Sequence, residues 1–303
     1  DLSMERNMAP TNDPLFTPME DAIRGGGCHV IIGAGVSAND YPIWKELIAE
    51  LTIRCGLRPE DYNGDDLLAI AEIAKEKNRS EYYSALDNIF KQKDYPKSSH
   101  RYHMLARIKF KSYINLNFDP LLFDVFNLHH NITVSDYPIL KPEHLNNGEL
   151  IYIHGRLGLG RPAETTKIVL TKNEFNEAYH PNSPSRLHAI FQEIFLDNDV
   201  CFIGCNPQED HMCYLLKICE KYCEQMHGLE NERRPKRFLL CEGDKDYSKH
   251  LKDTGIQQVK YPKRDSQYSG LDLVLNYLAQ KKDPTIRQAG VSRAIFEPTT
   301  EEP

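Results

Sequence analysis

Long apolar runs are missing from this chain. Its most apolar stretch lies around Val30–Val36, far short of the roughly 18 residues that a membrane-spanning helix needs. No basic segment followed by an apolar one opens the chain, so no secretory signal is read there. Asp1-Leu2-Ser3 ahead of Met4 reads as a foreign leader and is left out of the fold reasoning. Basic charge is also in deficit. The balance is 37 Lys+Arg against 44 Asp+Glu, a formal net charge of -7, which argues against a bulk nucleic-acid binder. Cys-x-x-Cys pairs are missing too. Eight cysteines (Cys28, Cys55, Cys201, Cys205, Cys213, Cys219, Cys223 and Cys241) stand at irregular spacing and read as free thiols of a reducing cytoplasm. Repeats and low-complexity tracts are absent as well.

What is present is enough to fold. The 303 residues are 40% hydrophobic and 10% aromatic, which excludes wholesale disorder and allows one large or two modest domains. Residues 1–16 have no period and read as a flexible arm. Thr17-Pro18-Met19-Glu20 has the form of a capping box with Pro in the first turn, opening a helix that must stop at Gly25-Gly26-Gly27. Cys28–Ile32 reads as a buried strand. Helices follow at Trp44–Leu51, Asp65–Lys77, Ser80–Lys91 and Ser98–Phe110, the last on a Ser cap. Further strands are expected at Ser112–Asn117, Ile132–Ser135, Leu150–Ile153, Lys167–Leu170, Val200–Ile203, Arg237–Cys241 and Gln257–Tyr261. Further helices are expected at Phe118–Phe126, after the Thr171/Glu174 box, from Ser183 to Leu196, at His211–Met226 and at Leu271–Lys281. Strands alternating with helices predict an α/β fold, a Rossmann-like, mostly parallel sheet flanked by helices. The helices between Pro42 and Phe110 have no strand among them and suggest a helical insert.

Four strand exits carry chemically useful residues. Gly33-Ala34-Gly35-Val36-Ser37 follows the first strand, and glycines there let backbone N–H groups approach a diphosphate. A dehydrogenase is disfavoured, because the region about 20 residues on, where an acidic residue should end a second strand, is the helix around Trp44–Leu51. Asn115-Leu116-Asn117-Phe118-Asp119 ends another strand, although Asp119 before Pro120 is also a plain helix cap. Ile151-Tyr152-Ile153-His154-Gly155 places a His at a strand end, where it serves either as a general base or as a structural group. Val200-Cys201-Phe202-Ile203-Gly204-Cys205-Asn206 is the fourth exit.

Taken in order, the four exits resemble the sirtuin (silent information regulator) family. Gly33–Ser37 is similar to the family's Gly-Ala-Gly-(Ile/Val)-Ser loop, and Asn115–Asp119 to its Thr-x-Asn-x-Asp segment, with Asn115 in place of the Thr. His154-Gly155 is similar to its His-Gly pair, and Phe202–Cys205 to its Phe-x-Gly exit. The resemblance spans roughly residues 20–280. Protein-deacylating sirtuins hold zinc on two Cys-x-x-Cys pairs between the His-Gly pair and the Phe-x-Gly strand, whereas Gly155–Val200 contains no cysteine. The Pro-Asp-Phe-Arg segment of the deacylases is likewise replaced by Tyr41-Pro42-Ile43-Trp44.

This pattern is similar to the bacterial sirtuin-like NAD hydrolases of antiphage defence. The resemblance implies a chain divided into the arm (1–16), an NAD-binding catalytic domain (17–282, with the helical insert at about 42–110 and no zinc module) and a tail (283–303). It implies NAD+ as substrate, Asn117 and His154 as catalytic residues, and Gly33, Ala34, Gly35, Val36, Ser37, Trp44, Asp119, Gly204, Cys205 and Asn206 as the substrate-binding set, with no metal. It further implies a cytoplasmic homo-oligomer, gated by assembly, with a HerA-type ATPase or an Argonaute-like protein as possible partner, and no membrane or direct nucleic-acid contact. An NAD-dependent protein deacylase and a non-catalytic NAD or ADP-ribose sensor stay open as alternatives.

Overall fold

Parallel strands buried on both faces must be apolar throughout, and the expected strands have that character. The computed structural model describes residues 9–280, except 63, 65, 95, 130–133, 141, 142, 144, 146, 147, 227–233 and 267. Expectations for the tail and for the first eight residues lie outside the described residues. Seven strands form one sheet: β1 (Cys28–Ile32), β2 (Ser112–Asn115), β3 (Val134–Asp136), β4 (Glu149–Tyr152), β5 (Asp199–Ile203), β6 (Arg237–Glu242) and β7 (Ile256–Tyr261). Their order is β3-β4-β2-β1-β5-β6-β7, and every pairing is parallel. β1 is buried along its whole length and sits between β2 and β5, with Val30 opposite Tyr113 on one side and Cys201 on the other. The chain builds outward from β1 in both directions, so the crevice between β1 and β5 is the switch point of the sheet.

The helices are α1 (Phe16–Arg24), α2 (Trp44–Arg54), α3 (Leu67–Lys77), α4 (Arg79–Ile89), α5 (Ser99–Arg107), α6 (Leu121–His129), α7 (Lys172–Ala178), α8 (Leu187–Asp197), α9 (Asp210–Gln225), α10 (Ser248–Leu251) and α11 (Ser269–Gln280). The crossover from β1 to β2 carries α2 to α5 with no strand among them. α2 packs on α3 and α4, and α5 on α6 and α11. Among the described residues, no helix is long and apolar enough to cross a membrane.

Several local expectations are corrected. The Thr17–Glu20 box does not form. The helix starts two residues earlier than Pro18, at Phe16, because Asp13 fixes the entry by accepting the Leu15 N–H at 2.8 Å and, through its carbonyl, the Phe16 N–H at 3.0 Å. Lys167–Leu170 is not a strand. β4 already has β2 and β3 on its two sides, so no ladder position beside it is left; the Val169 N–H goes to the His154 carbonyl and the Leu170 N–H to the Glu174 carboxylate. α8 starts at Leu187 rather than Ser183. Ser183 and Ser185 form a hydroxyl-bonded turn, and Arg186 enters the helix at φ 62°. Ser98 precedes α5 without capping it; the Asp40 carboxylate takes the Lys97 and Ser98 N–H groups instead. α6 starts after Pro120, so Phe118 belongs to the turn ahead of it. The Thr171–Glu174 box is fully made. Residues from Thr11 to Asp13, within the expected arm, bond along β7, where Asp13 accepts the Lys260 N–H at 2.8 Å and Thr11 donates to the Lys260 carbonyl.

One buried cation ties the helical layer to the sheet. Arg237 begins β6 and is 1% exposed. It donates to the carbonyls of Phe195 on α8 (2.8 Å), Cys219 on α9 (3.1 Å) and Thr254 ahead of β7 (2.7 Å), with the Phe195 ring 5.2 Å from the guanidinium. Arg237→Ala leaves these three carbonyls short of a donor. It should lower unfolding stability by about 3 kcal/mol or more in chemical denaturation, and Arg237→Lys should recover part of the loss.

Candidate functional site

Two strand exits meet at the switch point, and glycine is what lets them. The Gly33 N–H donates to the Ile203 carbonyl and the Gly35 N–H to the Gly204 carbonyl, each at 2.9 Å. A Cβ on Gly33 would stand 2.5 Å from the Gly204 oxygen, and one on Gly35 would stand 2.9 Å from it. Gly204 sits at φ +68°, and a Cβ there would meet Val36 at 2.8 Å. Ala34–Val36 then wind into a single 3-10 turn. Val36 and Ser37 spend their N–H groups inside this turn, on the Gly33 and Ala34 carbonyls. Four of the loop's five amides are therefore committed to the protein. The loop offers a ligand close backbone approach more than a cluster of donors, and α2, the next α-helix, starts only at Trp44.

The second layer comes from the exit of β2. The Asn117 side-chain amide donates to the Gly33 carbonyl (3.1 Å) and to the Tyr102 hydroxyl (3.5 Å), which commits both its N–H groups and leaves Oδ1 as an acceptor. Asp119 is buried and does two things. One oxygen accepts the Leu121 N–H at 3.1 Å, opening α6 as a cap, and the other accepts the Ser37 hydroxyl at 3.0 Å. Burial pushes its carboxyl up to about 6, with the Ser37 and Leu121 donors opposing. The Tyr152 hydroxyl bridges the Asp119 carbonyl and the Phe123 N–H beneath.

His154 follows at the exit of β4. Its Nδ1 lies 3.3 Å from the Leu116 carbonyl, so that nitrogen carries the proton; Nε2, 2.9 Å from the Tyr179 oxygen, then accepts that hydroxyl. Gly155 after it is at φ +86°, and a Cβ there would strike the Lys167 carbonyl at 2.3 Å. The His154 ring lies against Phe175 (4.9 Å) and 6.4 Å from His211. Burial drives its pKa down to about 4.

Two cavities flank the glycine loop. The larger, about 400 Å³, lies over the ends of β5, β6 and β7 and is lined by Gly35, Gly204, Cys205, Asn206, Glu209 and Tyr268, among others. The smaller, about 30 Å³, is lined by Ala34, Ser37, Trp44, Asn117, Asp119 and His211, among others. The structure thus brings Ala34, Ser37, Trp44, Asn117 and Asp119 around one cavity and Gly35, Gly204, Cys205 and Asn206 around the other. Gly33 and Val36 join the two exits beneath. His154 lines neither cavity and packs one layer behind His211.

Sequence reasoning missed three members of this region. His211 had signalled only a helix start. Here its ring lies 4.5 Å from that of Trp44, tilted at 42°, and burial, with His154 nearby, pushes its pKa down to about 3. Glu209, just before α9, has its carboxyl pushed up to about 7 by burial. Tyr179, on the far side of α7, holds His154. Only their position after the fourth exit could have marked Glu209 and His211. Among the described residues, no group of three or more His, Cys, Asp or Glu side chains could hold a metal ion.

His154 and His211 stay neutral in the fold at pH values where an unfolded chain, with pKa about 6.5, takes up protons. Their contribution is complete above pH 6.5 and is lost as pH falls toward 4. Asp119 and Glu209, raised in the fold, act in the opposite direction over the same range. Between pH 7 and pH 5 each histidine should remove about 2 kcal/mol. His154→Gln should therefore lose about 2 kcal/mol less than the parent over that interval, measured by denaturant titration at both pH values. An unchanged loss would mean that His154 is not held neutral.

Three solved structures are similar: one described as "Structural Basis for the Mechanism and Regulation of Sir2 Enzymes", one as "Crystal structure of a Sir2 homolog-NAD complex", and a complex of a mutant Sir2 homologue with ADP ribose. Their identities are 13%, 11% and 12%, with TM-scores of 0.45, 0.43 and 0.42. They cover 86%, 91% and 86% of this chain and 95%, 98% and 95% of their own. No curated protein matches. A family model described as "SIR2-like domain" matches residues 111–259, a stretch that holds Asn117, Asp119, His154, the Gly204 exit and His211.

Proposed function

We propose that this protein is an NAD+ glycohydrolase, cleaving the nicotinamide–ribose bond to give nicotinamide and ADP-ribose. The observation that carries the reading is the pair of cavities on either side of one glycine loop at the switch point of a parallel sheet, within reach of Asn117 and Asp119. A dinucleotide laid along Gly33–Ser37 would put its adenosine end beside Gly204, Cys205 and Asn206. Its reacting end would then lie toward Asn117.

Nicotinamide leaves as a neutral group, so the bond breaks through an oxocarbenium-like state and no strong acid is needed. Asn117 Oδ1 is an acceptor for a ribose hydroxyl. Asp119, mostly ionised at pH 7, adds negative charge beneath the developing cation. His154 would serve as base toward a ribose hydroxyl or the attacking water once Tyr179 releases its Nε2. The Tyr179 contact fits a resting form that assembly would relieve, in a homo-oligomer or with an ATPase or Argonaute-like partner. Such gating suits a cytoplasmic enzyme that depletes NAD+ in antiphage defence. The same occupied Nε2 also favours a second reading, an NAD+ or ADP-ribose sensor that binds without cleaving.

Nicotinamide release from NAD+, measured on the full chain alone and with its genomic neighbour, separates these readings. Cleavage is expected, and Asn117→Ala and His154→Ala should each reduce it about 100-fold or more. Normal cleavage by both variants overturns the assignment. Tight NAD+ binding with no release in any assembly supports the sensor. Release that requires an acylated peptide would restore the deacylase.

A further inference from the structure

The small cavity holds an unbalanced set of polar atoms. Trp44 and His211 are 6% and 8% exposed. Both line the cavity of about 30 Å³, and their rings lie 4.5 Å apart. Trp44 Nε1 and His211 Nδ1 are buried with no hydrogen-bond partner among the described residues. An indole N–H can only donate. His211 Nε2 lies 3.7 Å from a Glu209 carboxylate oxygen, which favours the proton on that nitrogen and leaves Nδ1 as an acceptor. The two residues that line this space thus carry one unpaired buried donor and one unpaired buried acceptor, and the space has room for a water or two and is far too small for a pyridine ring with its amide. By contrast, the accepting nitrogen of His154, the histidine picked out by the sequence, is already filled by Tyr179.

We propose that Trp44 and His211 seat the water that attacks the ribose, with His211 as the base that receives its proton and His154 left to act on a ribose hydroxyl. This deepens the glycohydrolase reading and rests on it. The water accepts from Trp44 Nε1 and donates to His211 Nδ1. Its oxygen bonds to the ribose carbon as the carbon–nitrogen bond to nicotinamide breaks, and the bonding pair leaves with neutral nicotinamide. The water proton passes to Nδ1 and from the imidazolium to solvent. Glu209, facing the other nitrogen and lining the larger cavity, steadies the imidazolium while it lasts. The nicotinamide ring stays outside the small cavity.

The experiment compares the full-length parent with Trp44→Phe and His211→Gln under conditions where the parent releases nicotinamide. A pyridine base such as 3-acetylpyridine is added to intercept the ribosyl cation. Turnover should fall about 10-fold or more with KM for NAD+ within about twofold, and the ratio of base exchange to hydrolysis should rise about fivefold or more. A purely structural role would lower turnover and leave that ratio unmoved, and an unmoved ratio overturns the water seat while the glycohydrolase reading stands. A parent that never releases nicotinamide overturns that reading instead. A second measurement needs neither turnover nor a folded variant. The chain has one tryptophan, so its indole N–H gives a single proton resonance. In the ligand-free protein this resonance should show a cross-peak to bound water, and the absence of that cross-peak also overturns the proposal.

Discussion

The rest of the site depends on the contact between the backbone of Gly33 and Gly35 and that of Gly204. Two strand exits come together here at hydrogen-bonding distance, and the space a Cβ would need is taken by a carbonyl oxygen. The contact fixes the height of the Ala34–Val36 turn. It also aims the Gly33 carbonyl at Asn117 and sets Ser37 against Asp119. Either side of the loop becomes the wall of a cavity because the loop is pinned from beneath. Side chains could not supply this, since any Cβ at those positions would separate the exits and turn the two cavities into one open trough.

Around that contact burial keeps the histidines neutral and raises the carboxyls. It drives His154 and His211 down to about 4 and 3 and Asp119 and Glu209 up to about 6 and 7, so at pH 7 the imidazoles are uncharged while Asp119 is mostly ionised. A neutral histidine can take a proton, and a buried carboxylate can face a passing positive charge. Ion pairing would have locked both. A charged pair does reach the loop from outside: Arg101, held by Asp272 at 2.6 Å on the α5–α11 contact, donates to the Val36 carbonyl at 3.3 Å.

The sheet was legible in the sequence because its inner strands are buried on both sides and so are written as mostly apolar runs, with polar groups such as Ser112, Glu149 and Arg237 at their ends. Cys28–Ile32 appears with the expected bounds. Local chemistry was legible where nothing competed with it, as at Thr171 and Glu174, and misleading where something did, as at Thr17 beside Asp13. Lys167–Leu170 shows a different limit. It is apolar enough for a strand, but a strand needs a free neighbour, which is a property of the whole sheet. The glycine, Asn117 and Asp119 positions could be read because each sits at a strand exit. Trp44 and His211 meet from α2 and α9, and no spacing in the sequence encodes their contact or that of Tyr179 with His154.

The bonds that Thr11 and Asp13 make to Lys260 bear on how this chain meets other chains. β7 is one outer strand of the sheet, and there its main-chain donor and acceptor at Lys260 are already taken by the residues before α1. The opposite outer strand, β3, is three residues long among the described residues. At Lys260, then, β7 has no free main-chain group for an incoming strand. Helix faces and side chains are the other surfaces through which copies of this molecule, or a partner, could meet it. Contacts of that kind can be made and released without disturbing the strands that carry the glycine loop.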